Sequence, residues 1–179
     1  MRLTNACVNC DLSNKDLYGA ALAGANLSKA NLSGSLLVEI NLEKATLTGA
    51  NLSGATMMGS RLSEANLIGA NLSNADLYNA LMIKADLTEA NLTEADLTSA
   101  VISDANLSKA VGKSAKLQGA ILSGSKLVDA DFSSSKMRNT KLSNATLTRT
   151  KFQGADLLNS LMPDGTTYNG DVSQFGASQ

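Results

Sequence analysis

The chain has 179 residues, enough for one folded unit with a substantial core. Its 15 Lys and Arg balance 16 Asp and Glu, and a net charge of -1 supplies no global attraction to nucleic acid or to an anionic membrane. With no His, no Trp and 3% aromatic residues, a ring-filled core is excluded; the interior has to be built from aliphatic groups.

Residues 1–9 read as an N-terminal cap, with Leu3 and Val8 expected to cover the first core residues. The opening "MRLTNACVNC" carries no hydrophobic signal segment. No apolar run in the chain approaches the roughly 20 residues of a membrane-spanning helix. Cys7 and Cys10 are the one pair with chemical potential. A redox pair would need a helix N-terminus to acidify a thiol, and no helix signal follows. A zinc site would need two more ligands, and the chain holds no other Cys and no His. Two readings stay open: both residues fill core slots as plain thiols, or they form a structural disulfide in an oxidising compartment.

From residue 10 to 162 the chain keeps one register of five. Residues ending in 2 and 7, from Leu12 to Met162, give 31 positions, of which 23 are Leu and four are Met. Phe132, Phe152 and Ile102 fill three more, and Gly112 is the sole exception. Two residues earlier in each five stands a small side chain, Ala at 21 of 31 positions. A period of five suits neither a helix at 3.6 nor a strand at 2. It suits a chain that turns a corner every five residues and closes a square coil every twenty. Successive coils then stack as β-ladders about 4.8 Å apart, which makes a rod roughly 37 Å long. Leucines point to the centre and alanines sit where the backbone passes close to the axis. Ten of the 14 Gly stand two residues after the central one, and Asn14, Asn74, Asn79, Asn139, Asn144 and Asn159 share that slot. These are the residues that tolerate the positive φ of a type II turn. No residue is inserted anywhere in the run, so every surface should be a flat ladder. Residues 163–179 read as a C-terminal cap. Pro163 stops the ladder, Asp164-Gly165 turns the chain, and Tyr168, Val172 and Phe175 are placed to cover the last coil.

Tandem A(D/N)LxX fives of this kind resemble the pentapeptide repeat family over residues 10 to 162. "CVNCDLS" and "LMPDGTTYN" resemble the opening and closing motifs of its cyanobacterial-type branch. The resemblance implies an all-β fold, a right-handed quadrilateral parallel β-helix of about eight coils.

Within that frame the irregular positions acquire neighbours twenty residues away. Gly112 stands between Leu92 and Phe132, so the Phe132 ring is expected to lean into the space the glycine leaves. Lys15 occupies an alanine slot of the first coil and should snorkel outward. Ile40 overfills another such slot. Asn31, Asn51, Asn71 and Asn91 stack and can bond along the axis. Asp96–Lys116 and Lys136–Asp156 are expected cross-coil ion pairs. Residues 1–104 carry a net charge of -5 and residues 105–179 a net of +4, so the rod is a dipole along its length. Two outward columns are apolar: Tyr18, Val38, Met58 and Tyr78 on one face, and Leu81, Val101 and Ile121 with Ile83 on the next. Two readings stay open: contiguous apolar surface marks a contact site, or these residues stand there only because they favour extended backbone.

These features point to a non-catalytic structural or interaction scaffold with no cofactor, no metal and no catalytic residues. The usual general base, histidine, is missing, and flat ladders offer no pocket. The expected partner is another protein or a second copy, reached through the apolar columns, with neither nucleic acid nor membrane involved. Periplasm or thylakoid lumen is favoured over cytoplasm. The resemblance implies one alternative, since some pentapeptide repeat proteins mimic duplex DNA and bind type II topoisomerases. This chain departs from that pattern in its near-neutral charge, its basic C-terminal part and its lack of projecting loops.

Overall fold

The computed structural model describes residues 6–170. The chain winds as a right-handed square β-helix with no helical segment among the described residues. Each five contributes one parallel bridging residue, a central residue and a turn. Bridges link positions twenty apart in an unbroken series, from Ala6 with Asn26 to Lys141 with Leu161. Four faces follow, numbered in chain order by their central residues. Face 1 runs from Cys7 to Leu147, face 2 from Leu12 to Phe152, face 3 from Leu17 to Leu157 and face 4 from Leu22 to Met162.

Backbone hydrogen bonds explain why the stack is rigid. On each coil the central N–H donates to the coil above, as Leu32 does to the Asn51 carbonyl at 2.7 Å. The preceding N–H donates to the coil below, as Asn51 does to the Ala30 carbonyl at 2.9 Å. The chain's polar groups are therefore satisfied between coils while its side chains fill the tube. Leu27 to Leu142 along the four faces, and the alanines beside them, are buried in one continuous core.

The turn residue adopts positive φ at every five from Asn9 to Asn159. Glycine and asparagine were the legible part of this slot. The structure imposes the same conformation on Lys29, Glu39, Lys44, Glu64, Glu94 and Arg149, with φ between 55° and 60°. The coil geometry overrides residue preference here, because the corner has to be made whatever side chain occupies it.

Two core irregularities resolve one another. A Cβ placed on Gly112 would lie 2.3 Å from the Phe132 Cε1 atom and 2.5 Å from Cδ1. The ring thus occupies the volume that the glycine vacates one coil below. Phe132 is itself fully buried and has nowhere else to go. Ile40 is accommodated in its small-residue slot at full burial.

Lys15, at the first coil, is exposed. At the other end Tyr168 is buried, its N–H donating to the Ser160 carbonyl at 2.8 Å. Thr167 forms an antiparallel bridge with Leu161, reversing the direction of the last coil. Val8 is exposed. Leu3, Val172 and Phe175, also assigned to the caps, lie outside the described residues.

Candidate interaction surface

The outward residues of each five flank the central one, so every face presents two columns. On face 3, Tyr18, Val38, Met58 and Tyr78 form the column after the central residue. Tyr18 is 58% exposed, Met58 38% and Tyr78 40%; Val38 is half-buried. The Tyr18 hydroxyl donates to Glu39 Oε2 at 3.2 Å. On face 4, Leu81, Val101 and Ile121 are themselves consecutive bridging residues. Leu81 is 39% exposed and Ile83, beside it, 37%; Val101 and Ile121 are half-buried. The two columns meet at the corner between Tyr78 and Leu81, so the apolar surface runs from face 3 in the lower coils to face 4 in the upper ones.

Leu36, 40% exposed, was missed. It stands beside Val38 on face 3, in the bridging slot that Asn and Asp usually hold. Its signal was the interruption of that polar column, bounded by Asp16 below and Thr56 above. The corners are the second feature that periodicity alone did not weigh. Those flanking face 3 carry chiefly Gly, Asn and Ser, including Gly34, Gly54, Gly19 and Gly59. The corners flanking the opposite face 1 carry stacked charges. Lys44 pairs with Glu64 at 3.7 Å, Lys109 with Glu89 at 3.0 Å, and Arg149 with Asp129. Long charged side chains therefore stand up around face 1, whereas Glu39 and Glu94 are the two charged corner residues among those described beside face 3.

Polar ladders cover the rest. On face 2 the amide of Asn31 donates to Asp11 Oδ1 at 3.1 Å, Asn51 to Asn31 at 3.2 Å, Asn71 to Asn51 at 3.3 Å and Asn91 to Asn71 at 3.2 Å. Four amides thus point one way along the axis and end on a carboxylate. Ser13, through its hydroxyl and its N–H, holds that Asp11 carboxyl below its ordinary pKa, with Asn31 adding to the effect. On face 3, Lys116 bonds Asp96 at 3.0 Å. Burial opposes ionisation of Asp96, but hydrogen bonds from Thr98 and Lys116 outweigh it and lower its pKa. The expected Lys136–Asp156 pair is corrected. Asp156 bonds Arg138 Nε at 2.5 Å instead. Both cations lie on the coil below, and the guanidinium's fixed fork takes the carboxylate in preference to the ammonium.

Cys7 and Cys10 lie in their core slots and are joined by a disulfide, with Cα atoms 5.3 Å apart. The Cys7 side chain helps line a small recess in the first coil with Leu12, Leu17, Leu22 and Leu27. Hydrocarbon surrounds it, and no acid, base or nucleophile is directed into it. Among the described residues no cluster of three or more His, Cys, Asp or Glu is placed to hold a metal ion. No helix there is long and apolar enough to cross a membrane.

A right-handed square coil of tandem fives, with a Leu centre, an Ala flank and a positive-φ corner, defines a pentapeptide-repeat solenoid. The family model for pentapeptide repeats matches in eight copies, over segments that together run from residue 7 to residue 162, and the chain belongs to that family. Among solved structures it is similar to HetL from the cyanobacterium Nostoc sp. strain PCC 7120, a pentapeptide repeat protein involved in heterocyst differentiation regulation. Identity is 27%, coverage 91% of each chain and TM-score 0.54. It is also similar in fold to two trypsin-treated forms of QnrB1, a plasmid-mediated fluoroquinolone resistance protein. One is 21% identical over 87% of this chain and 84% of that one, with TM-score 0.57. The other is 18% identical over 85% and 89%, with TM-score 0.60. No match was found among functionally curated proteins.

Proposed function

We propose that the protein is a non-catalytic interaction scaffold that presents a flat apolar face to a protein partner. The observation that carries this reading is the face 3 patch of Tyr18, Leu36, Met58 and Tyr78, each more than a third exposed. Its low corners let a second surface approach within van der Waals distance of the column, which a charged rim would prevent. Aromatic and methionine side chains are the types enriched at the centres of protein interfaces. Substituting Met58 and Tyr78 by Ser should leave the melting temperature within a few degrees, because neither side chain fills the core. It should also abolish capture of the protein's partner by immobilised chain in host extract, relative to the native protein. Equal capture by both would overturn the face 3 assignment.

Topoisomerase binding by DNA mimicry is not favoured. The likeness to QnrB1 is at the level of fold. The net +4 of residues 105–179 would set a basic surface where a duplex mimic needs a continuous acidic one.

A further inference from the structure

Face 4 carries its apolar residues about its own midpoint, flanked by Arg61, which Glu43 holds within the chain. Its eight coils run from Ala21 to Leu161 in the bridging column, and the apolar residues Leu81 and Val101 fall at the middle. Turn a second copy antiparallel, face to face, about a two-fold axis midway between Leu81 and Val101. Each column then opposes the same column of the other copy with its order reversed. Leu81 meets Val101 across the axis, and Ile83 meets Ser103. The low corner shared with face 3 sets Gly59 against Gly119, so the two copies approach most closely along that edge.

The charges agree with the same register. Lys84 and Asp104 stand on the corner between face 4 and face 1, one coil apart. Neither forms an ion pair with another described residue of its own chain, whereas Lys44, Glu64, Glu89 and Lys109 on the two corners flanking face 1 all do. In the antiparallel arrangement Lys84 of each copy stands level with Asp104 of the other. Lys141, which also forms no ion pair with another described residue of its own chain, stands level with Asn41, beside Glu43. Both contacts occur twice by symmetry. A parallel pairing would instead set Lys84 and Asp104 level with Asn79 and Ser99, which carry no charge. On the scale of the whole rod, the antiparallel sense lays the half of net charge -5 against the half of +4.

We propose that face 4 is the contact between two antiparallel copies of this chain, centred between Leu81 and Val101. The inference rests on the reading of the apolar columns as contact surfaces, but it assigns this column to a second copy and leaves face 3 to the partner. A face about 34 Å long, seven coil rises of about 4.8 Å, buries roughly 400 Å² per copy. That is below the roughly 800 Å² per partner of a standard stable interface. The dimer is therefore weak and concentration-dependent.

Sedimentation equilibrium of the purified full chain, up to about 1 mM protein, tests this. Native protein should pass from monomer to dimer across the range, and raising salt should shift it back. Lys84→Glu and Asp104→Lys, singly, should each weaken association at least about tenfold, because each places like charges together twice. The Lys84→Glu/Asp104→Lys double variant restores opposite charges across the axis and should return to within about threefold of native. Val101→Lys, at the axis, should be monomeric throughout with an unchanged circular dichroism spectrum. A native protein that stays monomeric at 1 mM would overturn the proposal. So would single variants that associate like native, or a double variant as weak as the singles. Face 3 capture is read with Met58 and Tyr78, so the two assignments fail independently.

Discussion

At the scale of single residues, the core is a column of fixed volume in which each defect is answered by its vertical neighbour. Gly112 and Phe132 are the clearest case. Phe132→Ala should lose at least the ~3–5 kcal/mol of an ordinary core phenylalanine, because it empties two levels of the stack. Gly112→Leu should also destabilise, since even a Cβ would meet the buried ring at 2.3 Å. Thermal unfolding measures both; a higher melting temperature for Gly112→Leu would show that the ring yields and that the column holds a void. The small-residue slots follow a second rule. Where a hydroxyl replaces alanine it donates to a carbonyl of the stack, as Ser35 does to the Leu12 carbonyl at 2.7 Å and Ser125 to that of Ile102 at 2.6 Å. Ser60 breaks the rule: it is fully buried, stands one coil above Ile40, and its hydroxyl has no partner among the described residues. Ser60→Ala should therefore stabilise the protein by about 1 kcal/mol in denaturant unfolding. A loss of stability would mean that the hydroxyl is bonded.

At the scale of the element, the unit is one five and its decisive feature is the corner. Positive φ is required there of every residue type, and outside glycine it carries a steric cost of about 1–2 kcal/mol. Some charged corner residues form a cross-coil ion pair, as Arg149 does with Asp129, but an exposed pair offsets little of that cost. Glu94 has φ 60° and no ion pair among the described residues. Glu94→Gly should raise stability by up to about 1 kcal/mol, the relief of strain being partly cancelled by the greater freedom of glycine in the unfolded chain. Equilibrium unfolding in urea would show it as a higher midpoint with an unchanged slope. A lower midpoint would show that the corner stores no strain at Glu94.

At the scale of the whole molecule, stability against pH follows from which groups titrate. There is no histidine, so no side chain changes charge near pH 6.5 at its ordinary value. The shifted carboxyls all move in one direction. Asp11 is lowered by Ser13 and Asp156 by Arg138, while Asp96 and Asp131 are lowered by hydrogen bonds that outweigh their burial. A carboxyl whose folded pKa lies below its unfolded value binds fewer protons when folded. Its contribution is complete above the unfolded value of 3.8 and is lost as pH falls through the lower folded value. Melting temperature should therefore be level from about pH 5 to 8 and fall only below about pH 4. A decline between pH 7 and 5 would contradict the assignment. Salt should have little effect on the exposed ladders, whose separate pairs contribute little each.

The architecture was legible because a period-five pattern admits a single packing. One large and one small inward residue per five fix where the centre and the corners lie, and an uninterrupted run fixes which residues stack. The Asn31 to Asn91 ladder, the Phe132 ring over Gly112 and the two apolar columns follow from spacing of twenty alone. Tertiary structure decided what depends on side-chain reach and exposure. Arg138 rather than Lys136 takes Asp156 because two cations lie within range of one carboxylate, and only geometry separates them. Leu36 joins the apolar surface, and Val101 and Ile121 are half-covered, because exposure depends on neighbours in the coils above and below. Lys84 and Asp104 stack in register yet do not pair, which the stacking order does not reveal. Backbone register is set by many repeated and mutually consistent positions, so the sequence determines it. Each surface contact is set once, by the rotamers of two or three side chains, and nothing in the repeat averages over them.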